Sequence, residues 1–340
     1  FITQGFFEKE KKPCFYIYRK IQKNITNTGI IGKIAIENYL NGEIKKHEKI
    51  ITQKAKFAEE IIKIQNAFIE PILLTYDKNR LIKNIINKTT QNYPDFIINS
   101  KHKTKHLIWK ISDKKNIKLI NKELAQIPSL YIADGHHRSA AAANLYQNGI
   151  KYMTAALFSS KEITIYPYHR MLKNINNLPK KEFFKILKKR FHIIKNGKKT
   201  IPKKNIRMYF NTKWYTLKSK DNKKNKSILN KIKNLFKKDN VNQLRKNIST
   251  YIFEKKILFK IFGKGKSKRN ESLDYISGKL NVDKLISKFE KENYKVLFLM
   301  PAINPSEFLK IADCDKNLPP KATWIEPKIK AGIIVKDLEE

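Results

Sequence analysis

The chain has 340 residues, 41% of them hydrophobic, with 19 Phe and 15 Tyr; this is enough apolar material for one large or two ordinary cores, which excludes a single small module and a disordered chain. Its longest apolar runs, such as Val296 to Met300, fall far short of the roughly 20 residues that cross a bilayer. A net charge of +42 would ordinarily argue for nucleic acid or an anionic membrane, but 64 of the 72 basic residues are Lys, and Lys, Ile and Asn, all with AT-rich codons, fill 146 positions, so the excess reads as drift in an AT-rich genome, with nucleic-acid binding non-specific at most and no membrane partner.

Phe1 stands where an initiator Met is expected, and no apolar leader with a cleavage site follows, so the start reads as incomplete. Cys14 and Cys314 lie in no metal or redox spacing, which fits a reducing, cytoplasmic setting. In chain order, "CFYIYRK" alternates as a strand. "GIIGKIAIENYLNG" runs from strand to helical turn, and "AKFAEEIIKIQNAF" has helical spacing. An exposed segment, "GEIKKHEKIITQ", links the last two. "EPILLTY" is a buried strand bounded by Pro71, and "HLIWKIS" and "LYIADG" follow as strands. The alternation of sheet and helix predicts a mixed α/β core over 1–171.

From Leu172 the text turns Lys-rich, as in "KSKDNKKNKSILNKIKNLFKKDN", and predicts a smaller α+β subdomain over 172–295. "NIRMYF" and "KWYTLK" should form a hairpin around Asn211. Over 296–340, "YKVLFLMPAI" is a buried strand, "PSEFLKIADCD" a short helix, and "PPKATWIEPKIKAGIIV" a Pro-rich turn with a closing strand; this stretch is expected to return to the core.

One segment departs from the background. Seven of the 16 alanines lie between Ala133 and Ala156 and none between Leu157 and Pro301, which marks "LYIADGHHRSAAAANLYQNG" as held by selection against the codon bias. A strand over Leu130 to Ala133 meets Asp134-Gly135, and a helix starts at about His136 and stops before Asn148-Gly149. Unpaired N–H groups and the positive dipole end make such a helix mouth an anion site, and Gly135 lets a phosphate approach the backbone. Arg138 can add a bidentate grip, while Ala140 to Ala143 let the helix pack closely and hold the turn still. Singly, an Asp-Gly cap, an Ala-rich helix or a capping His is ordinary. Asp134, His136, His137 and Arg138 on one turn point to function. The adjacent histidines diverge on a helix, so no zinc site is expected. Further candidates are His47 and Glu48 in "HEKI", His169 and Arg170 in "YPYHR", and Lys321 and Lys328 in "PPKATWIEPKIKAG".

Together, "YIADGHHR", "HEK", "YPYHR" and "PPKATWIEPKIKAG", in this order and spacing, resemble the family called domain of unknown function 1015, over nearly the whole chain. Two departures stand out. The Pro-Pro-Tyr-Asp element that usually opens the family is absent, and Ile50 and Ser139 replace the usual Thr and aromatic residue.

That resemblance supplies no activity. The strand, Asp-Gly-His-His-Arg turn and helix are also similar to the phosphate-binding turn of the ParB and sulfiredoxin superfamily, which includes nucleotide-binding partition proteins and free-serine kinases. This second resemblance implies a ParB/sulfiredoxin-like core, a nucleotide (ATP, ADP or CTP) and Mg²⁺. It implies that Gly135, Arg138 and Ser139 hold phosphates, with Lys321, His169 and Arg170 as further contacts. Asp134 or Glu48 would act as base or magnesium ligand, and His136 or His137 would donate to a phosphate oxygen. The expected function is phosphoryl transfer to a small hydroxyl metabolite such as free serine. The alternatives are a non-catalytic nucleotide- or nucleic-acid-binding protein of ParB type, and a decayed protein that retains the fold. A working site would bring His47 and Glu48 beside the turn, with Lys321 facing the same cleft.

Overall fold

A computed structural model describes residues 3–100, 103–195, 199–220, 244, 246–263, 271–314 and 317–338. The chain divides into two units, Phe1–Thr164 with Ile325–Glu340, and Ile165–Trp324.

The first unit is built on a hairpin of β1 (Phe15–Gln22) and β2 (Ile25–Ala35), in register from Tyr16 opposite Ile31 to Gln22 opposite Ile25. There follow α1 (Glu37–Leu40), β3 (Ile44–Lys45), α2 (Thr52–Gln65), β4 (Ala67–Phe68), β5 (Ile72–Tyr76) and α3 (Arg80–Thr89). Next come β6 (Phe96–Ser100), β7 (Thr104–Ile111), α4 (Lys114–Ala125), β8 (Leu130–Asp134), α5 (His136–Tyr146) and β9 (Tyr152–Ser159). Among the described residues the sheet has eight strands in the order β3-β8-β5-β9-β2-β1-β7-β6. The β3–β8 and β5–β9 pairs are parallel and the remaining neighbours antiparallel, so the fold is mixed α/β.

Local chemistry accounts for these elements. All five residues of β5 are buried, as a continuous apolar run requires of an inner strand. Asn79 caps α3 by accepting from Ile82 N–H at 3.0 Å, and Asp113 caps α4 from Asn116 N–H at 2.8 Å. Ala141 and Ala142 are fully buried in the core with Ile17, Ile30, Leu74, Ile132 and Met153. Their small side chains let α5 lie close against its neighbours, and Asn144 on α5 donates to Glu59 on α2 at 2.8 Å.

The C-terminal stretch is a strap on this unit. Gly332 N–H donates to the Ile69 carbonyl at 2.8 Å, Lys336 pairs with Phe68 of β4, and Leu338 N–H donates to the Asn66 carbonyl at 3.0 Å. No helix among the described residues is long and apolar enough to cross a membrane.

The second unit is an antiparallel sheet whose strands run 191–195, 213–219, 206–210, 296–299, 168–172 and 273–277 across it. The hairpin expected around Asn211 is present: Phe210 pairs with Lys213, and Asn211 and Thr212 have φ of 46° and 60°. Positive φ at both central residues is the type I′ geometry that matches strand twist. Helices 180–188, 282–291 and 305–313 accompany the sheet, the last opened by a capping box of Asn304 and Glu307. Most of the Lys-rich run, 221–240, lies outside the described residues.

The expected boundaries at 172 and 296 are corrected. The second unit begins at Ile165, and Val296–Leu299 is one of its inner strands, fully buried and paired on both sides through Met208 to Phe298 and Met171 to Leu297. Only residues from Ile325 onward rejoin the first unit.

Candidate functional site

The strand-to-helix turn falls where its sequence places it. β8 ends at Asp134, α5 begins at His136, and Gly135 between them has φ 96°. A Cβ there would stand 3.1 Å from Ile72 Cγ2 and 3.3 Å from the Arg138 guanidinium carbon, so backbone angle and space both call for glycine. No side chain caps α5, which leaves first-turn N–H groups at its mouth. Ser139 is buried, and its hydroxyl donates to the Gly135 carbonyl at 3.1 Å, bracing the turn.

Asp134 carries cations on both oxygens. Lys328 Nζ lies 2.8 Å from Oδ1 and Arg138 Nη2 3.4 Å from Oδ2. Lys328 arrives on the C-terminal strap.

Arg138 is bonded to protein groups. Its Nη1 donates to the Glu70 and Pro71 carbonyls at 2.8 and 2.7 Å, and Nη2 lies 3.1 Å from Glu70 Oε1. A guanidinium fork filled by the loop before β5 braces that loop. Glu70 gave no signal in the sequence, because an acidic residue before a strand is unremarkable.

The "HEKI" loop comes to the same turn. The His47 and His136 rings meet edge to face with centroids 4.3 Å apart. Glu48 Oε2 lies 3.8 Å from His136 Nδ1, and Ile51 N–H donates to His137 Nε2 at 3.3 Å. His47 is buried, although its loop reads as exposed from its charge. Burial, with His136 beside it, pushes the His47 imidazole well below its ordinary range. Burial likewise lowers His136 to about 4, against the pull of Asp134 and helped by His137 and Lys328. Both rings are therefore neutral near pH 7, and each offers one N–H and one lone pair. His136 Nε2 is buried with no hydrogen-bond partner among the described residues, a condition that costs about 1–3 kcal/mol and calls for a ligand or solvent partner.

His169, Arg170 and Lys321 belong to the second unit. Arg170 is buried there; its Nη2 donates to the Lys321 carbonyl at 2.9 Å, Nη1 to the Tyr168 carbonyl, and its guanidinium lies 5.1 Å from the Tyr275 ring centroid. His169 Nδ1 accepts from Met300 N–H at 3.1 Å, and Lys321 Nζ sits 5.3 Å from the Tyr168 ring centroid. The "YPYHR" and "PPKATW" motifs thus converge on one another inside that unit.

Among the described residues no group of three or more His, Cys, Asp or Glu side chains could hold a metal ion. A magnesium ion delivered with a phosphate ester needs only one or two carboxylates, the phosphates and water supplying the rest. Asp134 has both oxygens paired with cations, while Glu48 is 41% exposed beside His136.

The chain belongs to the family described as protein of unknown function (DUF1015), which matches residues 1–244. No curated protein sequence matches it. Among solved structures it is similar to a conserved hypothetical protein from Pyrococcus furiosus, at 13% identity and a TM-score of 0.42 over 94% of this chain and 99% of that one. It is also similar to a free serine kinase in complex with AMP, at 15% identity and a TM-score of 0.40 over 94% and 91%. C-terminally truncated SbnI from Staphylococcus aureus aligns at 11% identity with a TM-score of 0.43 over 87% and 82%.

Proposed function

We propose that this member of the DUF1015 family is a phosphotransferase that moves a phosphoryl group from a Mg²⁺-bound nucleotide to a small hydroxyl metabolite, with free serine the first candidate. The observation that carries the reading is Lys328 ion-paired to Asp134 at the mouth of a helix whose N-terminus has no side-chain cap. An ammonium, first-turn N–H groups and the positive dipole end meet at one point, which is what a polyphosphate needs. Transfer of a phosphoryl group asks mainly for positioning and charge neutralisation.

In this reading the α5 N-terminus and Lys328 hold the phosphates. The acceptor hydroxyl oxygen forms the new bond to phosphorus as the bond to the nucleotide's bridging oxygen breaks. Glu48, exposed on one side and beside His136 on the other, takes the hydroxyl proton. His136, neutral and short of a partner at Nε2, completes the contact to a phosphate oxygen. Asp134 anchors Lys328, and Arg138 fixes the loop behind the turn. The ParB-like character of the turn is part of the same proposal.

The test is calorimetry with ATP, ADP and CTP, with and without Mg²⁺, followed by phosphate transfer to a panel of hydroxyl compounds headed by serine. Asp134→Asn, checked for folding by a thermal melt, should weaken nucleotide binding and remove turnover. A parent protein that binds no nucleotide under any condition would end the reading. Binding without transfer would move the protein to the nucleotide-binding alternative.

A further inference from the structure

We propose that Lys20 is a positioning residue, which together with Glu326 fixes the Glu326–Pro327–Lys328 turn so that the Lys328 ammonium stands on Asp134. Lys20 lies on β1 and is 8% exposed. In a chain whose lysines accumulate by codon drift, an extra Lys settles in solvent; burying an ammonium costs several kcal/mol unless it is paired. This one is paired. Its Nζ donates to Glu326 Oε2 at 3.1 Å and to the Lys328 carbonyl at 3.3 Å, and the same Glu326 oxygen accepts from Lys328 N–H at 3.1 Å. Both side chains of the Lys20–Glu326 pair are 10% exposed. One carboxylate oxygen therefore ties the floor of the sheet to the backbone of the residue that serves Asp134.

Magnitudes say why such a floor is needed. The Lys328–Asp134 pair is itself 38% and 35% exposed, and an exposed pair is worth about 0–1 kcal/mol, too little to hold a long flexible side chain in one place. The buried pair beneath it holds the backbone, and the exposed pair then needs only to orient the ammonium. The inference rests on the proposed function for its consequence, nucleotide binding, but not for its geometry.

The experiment therefore has two arms. In the first, the acetylation rate of Lys328 is followed by peptide mass spectrometry in the parent protein, Lys20→Met and Asp134→Asn. Asp134→Asn calibrates the released ammonium. Lys20→Met should raise the Lys328 rate by about twofold to fivefold, fivefold being about 1 kcal/mol, while lysines of the 165–324 unit keep theirs. A Lys328 rate at the parent value in Lys20→Met, with Asp134→Asn raised, overturns the proposal. In the second arm, nucleotide affinity is measured for Lys20→Met, Lys328→Met and the double variant. Positioning predicts that the double variant binds as weakly as Lys328→Met alone, within about twofold; independent losses that multiply overturn it. If the parent protein binds no nucleotide, the proposed function falls and the acetylation arm still decides the role of Lys20. If Lys20→Met does not fold, the double variant Lys20→Met/Glu326→Met takes its place, since it removes both buried charges together and breaks the same tie.

Discussion

Replacing Arg138 with Ala should damage the fold of the first unit more than it damages ligand binding. The guanidinium gives two hydrogen bonds from Nη1 to the Glu70 and Pro71 carbonyls, at 2.8 and 2.7 Å, and its side chain is 22% exposed. A hydrogen bond with a charged partner contributes about 1.5–3 kcal/mol. Two bonds from one nitrogen do not add fully, and partial exposure lets water replace part of each, so about half the sum, roughly 1.5–3 kcal/mol, is at stake. The contacts to the Glu70 and Asp134 carboxylates, which are 42% and 35% exposed, add at most about 1 kcal/mol. The expected loss is about 1.5–4 kcal/mol, or roughly 3–16 °C in Tm for a unit of this size. Urea denaturation gives the total. Hydrogen exchange followed by mass spectrometry should localise the lost protection to β5 and α5. Arg138→Lys should recover less than half, because an ammonium has no fork to span two carbonyls. An Arg138→Ala protein within about 0.5 kcal/mol of the parent that has lost nucleotide affinity tenfold would refute the reasoning and return the guanidinium to the ligand.

Gly135→Ala should destabilise by about 1–3 kcal/mol, since it forces a Cβ into a positive-φ position against Ile72; a melt unchanged from the parent would mean that the turn has room for a methyl group and is looser than a phosphate cradle requires. Glu48→Gln should cut turnover about 10²-fold or more with nucleotide affinity nearly kept, and unchanged turnover removes Glu48 from the proton transfer. Stability should fall with acid: burial holds His136 at about 4 in the folded chain, below about 6.5 when unfolded, so the unfolded state takes the extra proton first. The contribution is whole above pH about 6.5 and is lost toward pH about 4, at up to about 1.4 kcal/mol per pH unit per histidine, with His47 adding in the same direction; equal urea midpoints at pH 7, 6 and 5 would contradict this. Duplex DNA should bind weakly and without sequence preference, and lose affinity steeply between low and physiological salt; tight, selective binding at physiological salt would make the Lys excess functional.

The local elements could be read from the chain because their causes are local. The β8–α5 turn follows from an apolar strand, Asp134-Gly135 and a run of alanines, and the Asn211 hairpin from two alternating strands around a two-residue turn. These need only backbone preference and burial period. The pairing of "HEKI" with "ADGHHR" was also within reach, not because a charged loop stands out by itself but because a working site recruits loops from several elements. What tertiary structure alone decided is where charge goes. A sequence cannot say that Arg138 will be taken up by the Glu70 and Pro71 carbonyls, that Lys328 will meet Asp134, or that Lys20 will be buried among 64 lysines. Nor can it show that Val296–Leu299 belongs to the second sheet, because a fully apolar strand fits any interior. Ion pairs and buried amines are settled by desolvation and by distances of a few ångströms between residues far apart in the chain, and neither quantity has a sequence period.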